Sequence, residues 1–121
     1  MPNAEVWLDL EEDLGISVGT IPTNSERGLD EVLNNDTESF AKVGKVGLGD
    51  IEYNAEDNSL YVMNLFDRTL YHISVQTKTI LGSYPVPDPG CNNGTYRPWG
   101  IGIRNGSVYV GSICDLSLIH I

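Results

Sequence analysis

The sequence predicts an all-β fold of antiparallel strands joined by short turns. Two observations lead to this prediction. Four short runs rich in Tyr, Val, Ile, Leu and Thr follow one another from Val46, and an Asn-Gly pair later separates two further alternating runs. Such runs are typical of strands, and short polar links between them are typical of hairpins. With 121 residues, the chain is long enough for one modest domain.

The composition excludes several classes of partner. Apolar residues make up 40% of the chain and charged residues 20%, a balance typical of a globular domain. The formal net charge is −10, and an acidic surface repels phosphate, so nucleic acid is not an expected partner. No run approaches the ~18 apolar residues of a membrane-spanning helix, so direct membrane insertion is not expected either.

Residues 1–42 form a weakly patterned, polar N-terminal segment. Within it, Glu5–Leu10 alternates well enough to predict one strand. Gly28–Asn35 predicts one or two helical turns, because it lies between a glycine and an Asn pair. The segment is expected to be weakly structured or to belong to a preceding unit of the same kind as the one that follows.

Residues 48–86 are predicted to form four strands. The links between the runs read AEDN, LFD and QT, and strands joined this tightly must lie side by side in sequence order, as an antiparallel meander. Asn64 precedes the second link and Asp67 is its last residue, and their short side chains can accept backbone N–H hydrogen bonds and close the turn.

After the loop PDPGCNNGTYRP the pattern restarts, which predicts a second hairpin over Pro98–Cys114. Asn105 and Gly106 form its turn, since both residues tolerate positive φ. Tyr61 and Tyr109 mark equivalent points about 50 residues apart, and a four-stranded meander recurring at that period is the unit of a β-propeller. The second blade has only two strands here, so an unpaired edge is expected at its last strand.

The stretch LYVMNLFDRTLYHISVQTKTI resembles the YVTN and NHL class of propeller repeats. Over residues 43–115, the motifs VGKVGLGDIEY, LYVMNLFDRTLY and PDPGC…RPWGI…NGSVYVGSIC resemble the propeller region of large bacterial surface proteins that carry serine–aspartate-repeat B-type modules. The resemblance implies a non-catalytic interaction or scaffold module of a secreted or cell-surface protein. Its ligand would be a protein or a glycan, and the same parent chain would supply the remaining blades.

The last six residues, 116–121, are expected to be foreign to the fold. LSLIHI reverse-translates to a sequence that resembles the transposon end used to tag DNA libraries. This predicts that the tail is adapter-derived and that the native reading frame is interrupted after Asp115.

Asp50 and Glu52 are the candidate metal ligands. They lie at i and i+2 in GDIEY, so they point to one face of a strand and could bind Ca²⁺ or act as acid and base. Sugar-lactonase-type propellers hold a divalent metal on their axis, so the alternative function is a metal-dependent hydrolase or lactonase-like enzyme. In the structural interpretation, Asp50 accepts backbone N–H bonds and Glu52 is solvated.

Arg97 and Trp99 are candidates for a binding rim, because exposed Trp and Arg are common interface anchors. Trp99 at the start of a strand could equally pack between blades, and packing is the favoured interpretation. His72 has no second His or Cys at ligand spacing, so we predict no catalytic role for it. No catalytic or cofactor-binding residue is predicted.

Cys91 and Cys114 are predicted to form a disulfide. A two-residue turn pairs Arg104 with Ser107, and counting on along the hairpin places Cys114 opposite Arg97. Cys91 lies six residues before Arg97, in the loop that enters the same end of the hairpin. Paired cysteines are typical of exported proteins, so an intracellular structural or signalling propeller is the less favoured third class.

Overall fold

The computed structural model describes residues 4–27, 36–92 and 94–115 and is mostly β. Sheet A has four strands and sheet B has two, all antiparallel. An all-β, antiparallel fold is therefore confirmed. Within the described residues, no helix is long and apolar enough to cross a membrane. The elements are α1 (Leu10–Leu14), α2 (Thr37–Lys42), β1 (Leu48–Asn54), β2 (Ser59–Asn64), β3 (Thr69–Ser74), β4 (Ile80–Pro85), β5 (Tyr96–Arg104) and β6 (Ser107–Cys114).

Sheet A is the predicted meander, with strand order β1-β2-β3-β4. Its three turns each contain one non-glycine residue with positive φ: Asn58, Arg68 and Lys78. Because side chains alternate along a strand, neighbouring residues of β2 point to opposite faces. Val62 and Met63 are both buried, so both faces of the sheet are covered at its centre.

Sheet B is the predicted second hairpin. Asn105 and Gly106 have φ values of 51° and 77°, as a two-residue hairpin turn requires. A bulge between Pro98 and Gly100 then shifts the register by one residue, so Cys114 lies opposite Tyr96 and not opposite Arg97. The predicted Arg97–Cys114 pairing is wrong, because counting from the turn takes no account of the bulged residue.

The predicted strand over Glu5–Leu10 is also wrong. The Asp9 carboxylate accepts hydrogen bonds from the backbone N–H groups of Glu11 and Glu12 and so caps α1, which begins at Leu10. Two other sequence-based predictions, the helical turns of Gly28–Asn35 and the foreign tail of residues 116–121, lie outside the described residues.

The core has two apolar clusters, one on each face of sheet A. On one face, Leu10 and Ile16 of the N-terminal segment pack with Val62 and Ile73. The cluster on the other face joins sheet A to β5 of sheet B. Its buried members are Met63, Leu65, Leu70 and Ile101. Burial of each such side chain contributes about 1.5–3 kcal/mol, so these clusters hold the three parts of the chain together.

The β1–β2 and β5–β6 hairpins match in register. Residues of β1 correspond to residues of β5 50 positions later (51 to 101), and those of β2 to residues of β6 48 positions later (62 to 110). The turn is two residues shorter in β5–β6. Both first strands are bulged at the same point, just after Leu48 in one and just after Pro98 in the other. The matching pairs are Ile51↔Val62 with Ile101↔Val110, Glu52↔Tyr61 with Gly102↔Tyr109, and Leu48↔Asn64 with Pro98↔Ser112.

Candidate functional site

Asp50 links the two sheets. One carboxylate oxygen accepts a hydrogen bond from the N–H of Ile51 at 2.8 Å, and the other accepts one from the N–H of Ile101 in β5 at 2.9 Å. The adjacent Gly49 lets the sheets approach closely, since a Cβ atom there would lie 3.2 Å from the carbonyl oxygen of Trp99. Asp50 therefore acts as an inter-sheet clamp at the bulge of β1.

The cation site at Asp50 and Glu52 stays a prediction. Glu52 lies opposite Tyr61 and is partly exposed. Across the described ranges, no three His, Cys, Asp or Glu side chains are grouped so that they could hold a metal ion. Both Asp50 oxygens accept backbone hydrogen bonds, so binding a cation there would compete with the bond to Ile101.

Arg97 of β5 forms an ion pair with Asp115, the residue that follows β6. Its Nε donates to Asp115 Oδ2 at 2.8 Å, while Asp115 Oδ1 accepts the N–H of Thr95 at 2.8 Å. The bond from Arg97, followed by that from Thr95, lowers the pKa of the Asp115 carboxyl. Trp99 is 50% exposed, so it packs only partly on the described part of the chain.

Cys91 and Cys114 form a disulfide, as predicted, with their Cα atoms 5.5 Å apart. The loop that carries Cys91 is shaped by Asp88, whose Oδ1 accepts hydrogen bonds from the N–H groups of Gly90 and Cys91. These two bonds lower the pKa of Asp88. The disulfide ties this loop to the last residue of β6.

Asn64 and Asp67 close the β2–β3 turn through their side chains. Asn64 Oδ1 accepts the N–H two residues on, and its Nδ2 donates to the carbonyl of Ser17 at 2.8 Å, so it also fixes the N-terminal segment. Asp67 accepts the N–H of Thr69 and the hydroxyl of Tyr71. Burial and the hydrogen bond to Asp67 raise the pKa of Tyr71 to about 12.

A polar cluster missed by the sequence analysis lies at the β1–β2 turn. His72 Nε2 lies 2.8 Å from Ser59 Oγ and 3.2 Å from Asp57 Oδ2, and Ser59 is also hydrogen-bonded to Asp57. The Tyr61 ring stacks on the His72 ring with centroids 4.3 Å apart. The signal that could have found the cluster is strand register, which pairs Tyr61 directly with His72.

The geometry of this cluster fits a structural role. Ser59 is fully buried, so its hydroxyl is not accessible to a substrate. Ser59 and Asp57 also meet the same imidazole nitrogen of His72, whereas a hydrolytic triad divides its nucleophile and its acid between the two nitrogens. The cluster cross-links the β1–β2 turn to β3, and burial, followed by the charge of Asp57, raises the pKa of Tyr61.

Sheet B presents an exposed apolar face, which we call the outer face and define by Trp99, Tyr109 and Ile113. Their exposed fractions are 50%, 62% and 69%. The residues that match Tyr109 and Ile113 are Tyr61 in β2 and Leu65 just after β2, and both pack in the cluster between the sheets. The outer face is therefore the counterpart, in the second hairpin, of a face that is covered in the first.

No protein-family model, curated protein or solved structure matches this chain.

Proposed function

We propose that the chain is part of a β-propeller that serves as a non-catalytic interaction module of a secreted or cell-surface bacterial protein. The observation that carries the proposal is the matched register and matched bulge of the two hairpins at a spacing of about 50 residues. Blade-sized repeats of this kind, packed face to face, are the unit of a propeller. Sheet B lies on one face of sheet A, which agrees with consecutive blades.

The hydrogen bonds that the polar side chains make within the fold support a non-catalytic role. Asp50, Asn64, Asp67 and His72 each hydrogen-bond to backbone or to neighbouring side chains that hold the fold. A protein or a glycan is the partner class proposed, and the half-exposed Trp99 of the predicted binding rim supports binding, since Trp is enriched among interface anchors. The disulfide is consistent with an oxidising compartment.

A longer reading frame from the source DNA tests the architecture. We expect it to encode further hairpins at ~50-residue spacing, each with a bulge in its first strand, and we expect the expressed protein to form a closed ring of blades by crystallography or electron microscopy. A longer chain whose sheets instead pack as a two-layer sandwich would exclude the propeller.

A separate experiment tests binding. The purified chain is applied to glycan arrays and to immobilised extracellular proteins, together with a Trp99→Ala variant. We expect saturable binding to one partner class and at least a fivefold loss in the variant, since interface energy concentrates in a few aromatic anchors. Turnover of lactone or ester substrates that requires Ca²⁺ would instead favour the hydrolase.

A further inference from the structure

The turn between β5 and β6 places an exposed asparagine beside a glycine. Asn105 and Gly106 are both exposed, and apart from its chain neighbours no atom lies within 4 Å of the position that a Cβ atom on Gly106 would take. Among residues 4–27, 36–92 and 94–115, no hydrogen bond engages the Asn105 side chain or the Gly106 N–H. Neither the carboxamide of Asn105 nor the amide nitrogen of Gly106 is therefore restrained by a contact to this part of the chain.

The exposure of this turn does not depend on any strand that follows β6. The corresponding turn of sheet A, residues 55–58, is exposed in the same way, although its sheet has four strands. Turns join the ends of strands and lie at the surface, so a further strand beside β6 would leave the Asn105 turn open to water.

The asparagine of the corresponding turn is held in place. Asn58 has the same φ of 51° as Asn105, but its Oδ1 accepts a hydrogen bond from the Tyr53 hydroxyl at 2.9 Å. The residue that follows it, Ser59, is fully buried and carries a side chain, whereas Gly106 carries none. The two asparagines therefore share a backbone conformation but differ in how firmly their side chains are held and in the residue that follows them.

An asparagine that precedes glycine can react with its own main chain. The nitrogen of Gly106 attacks Asn105 Cγ, so that a new C–N bond forms and the Cγ–Nδ2 bond breaks. The proton of the attacking N–H leaves with Nδ2 as ammonia, and a five-membered succinimide remains. Glycine favours this step because it has no Cβ atom to hinder the nitrogen and its backbone turns freely. Water then opens the ring, at Cγ to give aspartate or at the main-chain carbonyl to give isoaspartate.

We propose that Asn105 is a site of spontaneous deamidation, which adds a carboxylate to the β5–β6 turn with water as its only co-reactant. The aspartate product keeps the turn, because Asp also tolerates positive φ. The isoaspartate product adds one atom to the main chain of a two-residue turn that pairs Arg104 with Ser107. Its formation should therefore loosen the turn end of sheet B.

The test incubates the purified full chain at neutral pH and physiological temperature and maps its tryptic peptides over time. Deamidation raises the mass of a peptide by about 1 Da, and isoaspartyl methyltransferase labels the isoaspartate product. Cleavage after Arg104 separates Asn105 from the other Asn-Gly pair of the sequence, 93–94, whose asparagine lies outside the described residues. We expect aspartate and isoaspartate to form at Asn105 at least tenfold faster than at Asn58.

Two variants at the same position are the matched controls. Asn105→Gly removes the reacting carboxamide and leaves a Gly-Gly turn, which hairpins accept, so peptide 105–121 should gain no mass. Asn105→Asp carries the charge of the product without the extra main-chain atom, so its amide exchange in β5 and β6 should match that of the fresh original chain. The original chain should exchange faster there after incubation, as isoaspartate accumulates.

Four results would overturn the inference. A rate at Asn105 less than tenfold that at Asn58, or an equal mass gain in Asn105→Gly, would remove the site. Formation of aspartate without isoaspartate would exclude the succinimide, since direct hydrolysis of the side chain gives aspartate alone. Unchanged exchange in the incubated chain would contradict the loosening of the turn. None of these results bears on the propeller proposal, which depends on the register of further hairpins in a longer chain.

Discussion

The β1–β2 and β5–β6 hairpins share register and the position of a bulge but differ in turn length and in what surrounds them. The first is part of a four-stranded sheet with both faces covered, so that Val62 and Met63 are buried. The second has two strands and one covered face, so that Tyr109 and Ile113 are exposed. Local sequence pattern therefore sets strand pairing, whereas neighbouring elements decide which side chains are buried.

The two hairpins are also stabilised by different means. The β1–β2 hairpin is stabilised by its neighbours in sheet A, β3 and β4, and by the N-terminal segment. A two-stranded sheet is marginal alone, and sheet B is held by three further interactions: the Asp50 clamp to Ile101, the Cys91–Cys114 disulfide and the Asp115 hydrogen bonds. Each interaction can be removed on its own.

The largest expected effect comes from truncating matched positions of the two hairpins. Leu65→Ala removes a side chain that is 2% exposed between the sheets and should lower the free energy of unfolding by about 2–5 kcal/mol. Ile113→Ala, its counterpart on the outer face, should change it by less than about 0.5 kcal/mol. Urea denaturation measures both, and equal losses would show that the outer face is covered in solution.

Removal of the disulfide should act mainly on sheet B. The double variant Cys91→Ser/Cys114→Ser should lose about 2–4 kcal/mol of stability, because the loop it closes gains freedom in the unfolded chain. Amide exchange should accelerate in β5 and β6 and change little in β2 and β3. If amide exchange accelerates as much in sheet A as in sheet B, the two sheets unfold as one unit. They are then not stabilised by different means.

Removal of the Asp50 clamp should have an intermediate effect. Asp50→Ala leaves the buried N–H of Ile101 without an acceptor and should cost about 1–3 kcal/mol in the free energy of unfolding. Glu52→Ala is the matched control and should stay within about 0.5 kcal/mol. Calcium titration of the same proteins tests the predicted cation site. If the site binds Ca²⁺, the ion should raise the Tm of the original chain, and both substitutions should reduce that rise.

The smallest expected effect is a loss of stability at alkaline pH, and it involves a side chain of sheet A. The folded state raises the pKa of Tyr71 to about 12 from its usual 10, so the protonated hydroxyl is favoured on folding. Its contribution to stability is complete below pH 10 and is lost as pH rises towards 12. Tyr71→Phe should remove this alkaline dependence, measured by thermal melts from pH 8 to 12. An unchanged melting profile in Tyr71→Phe would assign the dependence to another group.

The sequence predicted the strands and turns better than the contacts between elements. Asn105-Gly106 and the run of short links identify hairpins because their backbone requirements are local. The bulge at Trp99 and the Asp50–Ile101 bond depend on how two sheets approach, which no local pattern encodes. Glu5–Leu10 alternates like a strand, but Asp9 is a helix cap, and the capping bonds determined the outcome.

The residues of the candidate site also differed in how well the sequence predicted their roles. Asn64 and Asp67 could be assigned to a turn because such residues bond to backbone nearby. The disulfide could be predicted because the hairpin and its loop meet at one end. The Asp57–Ser59–His72 cluster was missed because it requires the register between β2 and β3, whereas single histidines in strands carry no signal of their own.

The packing of the N-terminal segment on sheet A has a consequence for synthesis on the ribosome. Ile16 is made long before its neighbour Ile73, and at about 5–20 residues per second the interval is on the order of several seconds. During that time the apolar side chains of Leu10 and Ile16 lack Val62 and Ile73, the residues of sheet A that pack against them. Glu11, Glu12 and Asp13 lie directly between them, and such flanking charges act as gatekeepers that keep nascent chains from associating.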